Sequence, residues 1–348
     1  MQAIKIWIKQ VRLPYTFLLV SGIYTYSFSL QHIINNTHYI SFVKLAYGRA
    51  ITPFQYRILV PWLARVFEPY LELLPFIDHL NGIRTLFEFA SVFSILAFLF
   101  YFSPTLITEE ILTPFKRNTI GWLSVWLLIF TLPFLYIIPK QAYYYPSDIP
   151  GILFTMLGLI FLRQKKWWLY YPVFILGVFN RETICFLTLT YVLTNWKTEP
   201  RNKLFLHILA QILLWVGIKT FLWWFFYKNT GESIWYADIF GLFKNSWQFN
   251  LNILSNPMAY SDIVSVYGYL WIPLIALWKF IPDRWLRSAI LTVPLFHLVM
   301  LIPGEINETR IFGEMLPLVI LGVVAGITTG EFSKYILDSF PAPHKQIS

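Results

Sequence analysis

Charged residues in this chain fall mostly between long apolar runs, and that segregation restricts the folds open to it. A helix that crosses a bilayer satisfies its own backbone hydrogen bonds and covers about 30 Å of hydrocarbon, which takes about 20 residues. Runs suited to this lie near residues 13–34, 84–103, 120–138, 149–162, 167–180, 183–196, 204–227, 262–281, 287–303 and 315–330. They predict an all-α, polytopic membrane protein of about ten transmembrane helices. Composition agrees, since 57% hydrophobic, 20% aromatic and 13% charged residues make 348 residues too apolar for a soluble domain. The whole of 1–348 reads as one transmembrane domain.

The intervening loops alternate in charge. One set carries Lys5, Lys9 and Arg12; Lys116 and Arg117; Arg163, Lys165 and Lys166; Lys197, Arg201 and Lys203; Arg284 and Arg287; and Lys334 with Lys345. The excess of basic residues places this set, and both termini, on the cytoplasmic side of a plasma (inner) membrane. Short basic loops facing an anionic leaflet account for much of the net charge of +9, so no nucleic-acid partner is expected. The run Leu13 to Ile34 is long enough to remain as an anchor rather than be cleaved. Cys185 is the single cysteine, which leaves no disulfide. The chain has no Walker loop, dinucleotide fingerprint, zinc spacing or Gly-x-Ser-x-Gly elbow, and neither cofactor nor metal is expected.

Two long loops, 35–83 and 228–261, belong to the outer set. In the first, Phe54, Ile58, Leu59, Trp62, Leu63, Val66 and Phe67 follow helical spacing, which predicts an amphipathic interfacial helix broken at Pro61. Three adjacent runs, 149–162, 167–180 and 183–196, are too short for the full hydrocarbon thickness. Their outer ends would then lie below the membrane surface, which predicts a recessed, water-accessible cavity. The competing reading merges 167–196 into one tilted helix containing Arg181 and Glu182, and reverses every later loop.

The candidate functional residues all lie in the outer loops. Arg181 and Glu182 are adjacent in Asn180-Arg181-Glu182, so they do not face each other on a helix and must seek other partners. Asp148, followed by Ile149 and Pro150, suits a helix cap, or else a general base or sugar-binding carboxylate. Glu305, Glu308 and Arg310 lie in a tight turn, and Glu314 is placed where an acid suits the helix dipole. Tyr56 and Arg57 complete the set, Arg57 as a bidentate phosphate ligand or a snorkelling side chain. Lys219, inside an apolar run, either reaches an interface or neutralises a buried acid, while Glu88 and His297 have no assigned role.

Pro53-Phe-Gln-Tyr-Arg-Ile-Leu-Val-Pro61, Tyr-Pro-Ser-Asp-Ile-Pro before a short helix, Asn-Arg-Glu-Thr, and Glu-Thr-Arg-Ile-Phe before the last helix resemble poorly characterised bacterial membrane proteins. These in turn look similar to the GT-C class of glycosyltransferases. The resemblance implies a GT-C-like fold with amphipathic helices in the first outer loop and an active site facing away from the cytoplasm. It also implies sugar transfer from a polyprenyl-phosphate carrier to an acceptor the sequence does not name. Asp148 and Glu182 would then be the catalytic carboxylates. Tyr56, Arg57, Asn180, Arg181, Glu305, Glu308 and Arg310 would bind substrate, with arginines on the departing phosphate. The class places an early carboxylate after its first helix, whereas residues 35–67 contain no Asp or Glu. Either another carboxylate serves or the chain is not a transferase. A transporter or flippase of a lipid-linked substrate and a non-catalytic scaffold are the alternatives.

Overall fold

The computed structural model describes residues 15–71, 79–108, 112–139, 142–229, 248–256 and 260–328. Within them the chain is mostly helical, with an isolated parallel bridge between Thr37 and Tyr143. The basic residues expected near both termini, and most of the 228–261 loop, lie outside the described residues. The protein is an all-α, membrane-embedded chain.

Among the described residues, five helical stretches are long and apolar enough to cross a bilayer. They are α1 (Tyr15–Asn35), α4 (His79–Ile107), α5 (Pro114–Tyr136), α9 (Arg201–Phe225) and the stretch Thr309–Thr328, which ends in α14 (Leu316–Thr328). A sixth is bent by 60° between α10 (Tyr260–Ser265) and α11 (Trp271–Leu277). The bend falls where Tyr267, Gly268 and Tyr269 adopt positive φ, a left-handed turn that halts the helix. The other runs form α6 (Asp148–Arg163), α7 (Trp167–Asn180), α8 (Phe186–Asn195), and the pair α12 (Arg284–Ile290) and α13 (Thr292–Met300). These are shorter. Helix α6, at 16 residues, rises about 24 Å at about 1.5 Å per residue, less than the hydrocarbon thickness.

Local chemistry explains several of the boundaries. Thr113 accepts from the Lys116 amide at 3.3 Å ahead of Pro114, which starts α5 without wasting an amide donor. Asp283 accepts from the Leu286 amide at 2.7 Å and caps α12. In the first long loop, α2 (Phe42–Ala46) and a 3-10 turn at Phe54–Tyr56 precede α3 (Leu59–Leu71). Pro61 does not break α3. It sits in the first turn, where a proline costs no hydrogen bond.

Helix α14 is apolar all round and almost wholly enclosed, packing against α5, α11 and α12 at the centre of the molecule. Close approach there needs small residues. A Cβ on Gly322 would collide with Leu274 and Ile290 of the facing helices. Helix α9 is the opposite, with Phe205, Leu206, Leu213 and Trp224 facing outward, as expected of a lipid-facing rim helix.

The 167–196 stretch is not one continuous helix. Arg181 has extended backbone (φ −151°, ψ 142°), followed by a 3-10 turn over Glu182–Cys185. The stretch is two helices, and it turns at the candidate triplet.

Candidate functional site

Two distant segments, 180–183 and 310–314, converge on Asp148 at the start of α6. The carboxylate sits in the first turn of α6, fully buried, but makes no cap; Ser147 holds the cap position and makes no side-chain cap bond either. Asp148 Oδ1 instead accepts from Arg181 Nη1 at 3.0 Å, and Oδ2 lies 3.4 Å from Arg310 Nη1. Arg181 Nε lies 2.9 Å from Glu314 Oε1, and Thr183 Oγ1 donates to the same oxygen. Asn180 Nδ2 donates to the Ser147 carbonyl at 2.8 Å, fixing the end of α7 to the start of α6. A Cβ on Gly151 would reach 3.0 Å from the Arg181 side chain, so the glycine in the first turn of α6 makes room for the guanidinium.

Glu182 heads a second layer. Its Oε1 accepts from Arg57 Nη2 at 2.7 Å, its Oε2 lies 3.5 Å from Lys219 Nζ, and its carbonyl accepts from Trp215 Nε1 at 2.9 Å. The Glu182 side chain is 25% exposed where Asp148 is 0%. Burial opposes ionisation of Glu182, but Arg57 and Lys219 overcome it and hold the carboxyl well below the usual carboxylate range. Burial also works against the charge on Arg57, and the Glu182 carboxylate more than offsets it.

Tyr145 joins the layers. Arg310 lies over its ring at 4.0 Å and Arg57 at 5.9 Å, while Phe54 stacks on it at 5.5 Å. Arg310 Nη2 also donates to Glu308. Burial, then a neighbouring Glu308, raises the Glu305 carboxyl, which points outward in the same turn. Within the cluster, Arg57 Nε, Arg57 Nη1, Arg181 Nε and Arg310 Nε have no hydrogen-bond partner among the described residues, although Arg181 Nε lies within ion-pair distance of Glu314. A guanidinium N–H kept from water and left unpaired is costly, and a second anion would relieve that cost.

The structure therefore brings Arg57, Asp148, Asn180, Arg181, Glu182, Glu308 and Arg310 into one cluster. Glu305 stays at its edge. Tyr56 packs instead into a small apolar group with Ile58, Leu222 and Phe226. Arg57 lies before α3 rather than within an interfacial helix, and it points inward. Glu314 does not serve a helix N-terminus; it is buried in the 3-10 turn Thr309–Met315 as the partner of Arg181. Lys219 does pair with an acid, the partly exposed Glu182. Tyr145, Thr183 and Trp215 were not singled out in the sequence, although Tyr145 stands three residues before Asp148.

Where the short helices predict a water-accessible cavity, the Asp148 and Arg181 side chains are buried and paired with each other. A cavity of about 860 Å³ lies beside the bent span; it is apolar and walled by Val266, Tyr267, Trp271, Ile290, Pro294 and Phe312. Among the described residues no group of three or more His, Cys, Asp or Glu side chains is placed to hold a metal ion. Comparison with family models, curated proteins and solved structures gives no match for this chain.

Proposed function

We propose that the protein is a GT-C-like, ten-span glycosyltransferase that moves a sugar from a polyprenyl-phosphate carrier to an acceptor hydroxyl at the non-cytoplasmic face. The observation that carries this reading is the pair of arginines on Tyr145, Arg57 and Arg310, with buried donors unpartnered beside a partly exposed carboxylate, Glu182. The donor's phosphate would take those N–H groups. By competing for Arg57 it would loosen the Arg57–Glu182 pair, which is what holds the Glu182 carboxyl in its low range and makes it a weak base. Glu182 then takes the acceptor's proton, the acceptor oxygen bonds to the anomeric carbon, and the carbon–oxygen bond to the lipid phosphate breaks. Arg57 and Arg310 stabilise the departing phosphate. Arg181, 2% exposed and bound to two carboxylates, is a brace in this reading, and Asp148 positions both arginines.

The apolar cavity suits the carrier's isoprenoid chain, because Ile306 and Phe312 line it and flank Glu308 and Arg310 in the sequence. The bent span favours a second reading, a transporter or flippase, since broken helices recur at the binding sites of such proteins. Purified protein in vesicles with labelled polyprenyl-phosphate sugars separates the two. Sugar transfer or hydrolysis that falls with Glu182→Gln supports the transferase, whereas donor movement across the bilayer without bond cleavage would replace it.

A further inference from the structure

Arg84, in the second turn of α4, is a buried cation that the proposed chemistry does not use; it is 9% exposed. Its guanidinium lies over the Tyr144 ring at 5.1 Å and the Phe42 ring at 5.6 Å, so one ring from the segment before α6 and one from α2 wall it in. Arginine does not shed its proton inside a protein, so the charge stays at this depth. Taking such a charge out of water is costly unless an opposite charge meets it, and ring faces offset only part of that cost. Arg57, Arg163, Arg181 and Arg310 each hold a carboxylate. Among the described residues Arg84 holds none, and Glu88, one turn further along α4, is bonded to His32 instead at 2.6 Å.

What Arg84 does meet is a neutral acceptor at long range. Its Nη1 lies 3.5 Å from His38 Nδ1. His38 Nε2 is 2.7 Å from the Ile33 carbonyl, which can only accept, so Nε2 donates there and Nδ1 presents its lone pair to Arg84. A contact of 3.5 Å is a weak one. Arg84 Nε has no partner among the described residues, and neither has the hydroxyl of Tyr144, a side chain 3% exposed. The Nε side of the guanidinium fork is thus unclaimed, and carboxylate and phosphate oxygens are the acceptors that match such a fork. His38 is exposed, as are Thr37 and Tyr39, so the site opens where α1 ends.

Two successive tyrosines set this arginine apart from the Asp148 cluster. Tyr145 lies against Arg57 and Arg310, and Tyr144 against Arg84. The parallel bridge between Thr37 and Tyr143 fixes their segment to the end of α1, next to His38. We propose that Arg84, walled by Phe42 and Tyr144 and entered past His38, is a second anion-binding site that takes a phosphate group, carried by a soluble molecule or by a lipid headgroup. It is separate from the Arg57–Arg310 pair, and it depends neither on that pair nor on sugar transfer.

Two probes distinguish the sources. Binding of labelled inorganic phosphate is measured on the purified full-length protein in detergent at fixed ionic strength. Retention of phosphatidylglycerol is read by native mass spectrometry after reconstitution in phosphatidylcholine vesicles that contain it. Arg84→Met, which keeps an apolar stem between the two rings, is expected to weaken binding of at least one probe about tenfold, while Arg57→Gln leaves that binding in place. Loss of phosphate binding alone assigns a soluble ligand, and loss of phosphatidylglycerol, with or without phosphate, assigns a headgroup. Should Arg84→Met not fold, Arg84→Lys takes its place: it keeps the charge and loses the planar fork, and binding is expected to weaken about threefold. A folded Arg84 variant that binds both probes as the wild type does overturns the proposal, as does wild-type protein that binds neither. Binding that vanishes in Arg57→Gln and survives in the Arg84 variant belongs to the first site and overturns it too.

Discussion

Helix α6 ends in an ion pair at both of its ends, and the two ends are built differently. At its start, Asp148 holds Arg181 and Arg310 with almost no exposure to water, and Arg181 needs a second carboxylate, Glu314. At its finish, Arg163 binds Asp283 through two parallel bonds of 3.1 and 2.7 Å and lies 5.0 Å over the Trp285 ring. Asp283 meanwhile caps α12, and next to it Lys165 and Lys203, both well exposed, share Glu199. The second end is a closed brace between helices. The first interlocks segments from four parts of the chain, yet leaves donors on Arg57 and Arg310 unmatched. Packing alone explains the Arg163 end. A ligand is the simplest reason for the unmatched donors at the Asp148 end.

The largest test of that contrast is Arg181→Met. It strands two buried carboxylates, and the expected loss is about 3–5 kcal/mol of stability, read as a large fall in thermal midpoint in detergent. Arg163→Gln, at the opposite end of the same helix, should cost about 1–2 kcal/mol, because water reaches Asp283 and the cap bond survives. If Arg163→Gln were the more damaging, the distinction between the two ends would be wrong.

Asp148→Asn and Glu182→Gln sharpen it within the cluster. Asparagine at 148 leaves two arginines facing a neutral amide in a dry site, so stability should fall by about 3 kcal/mol with activity lost as a consequence. Glutamine at 182 keeps shape and some hydrogen bonding, and the Glu182 and Arg57 side chains are 25% and 16% exposed. Thermal stability should hold while the transfer rate drops about 100-fold. The reverse pattern would return the chemical role to Asp148. Arg310→Lys is gentler still: the charge stays, the planar fork goes, and affinity for a phosphate-bearing lipid should weaken about tenfold in an equilibrium binding measurement.

The sequence makes the fold class legible because apolar runs and basic loops report directly on the bilayer. It also points to most of the cluster, since Arg57, Asp148, Arg181, Glu182 and Arg310 are ionisable groups where a membrane protein can least accommodate them. Who binds whom is not readable. Arg181 and Glu182 are neighbours in the chain but turn to different partners, because the extended backbone at Arg181 sends one to Asp148 and the next to Arg57. Glu314 looks like a helix-dipole acid until the 3-10 turn that carries it is seen. His32 and Glu88 are 56 residues apart on two apolar helices, and nothing local marks them as a pair.

The smallest expected effect belongs to Glu199, at the brace end. Its hydrogen bond from Lys165, ahead of any burial cost, and that from Lys203 hold its carboxyl below the ordinary glutamate range. The unfolded chain therefore takes up the proton first on acidification. The contribution of Glu199 is complete above the ordinary range and disappears as the pH falls through the lowered one. Both lysines are exposed, so Glu199→Gln should cost less than about 1 kcal/mol near neutral pH, and less again in high salt, which screens such pairs. In acid the variant and the wild type should melt together. A neutral-pH loss as large as that of Asp148→Asn, insensitive to salt, would mean that the brace end is as tightly interlocked as the cluster, and the unmatched donors on Arg57 and Arg310 would remain the one difference between them.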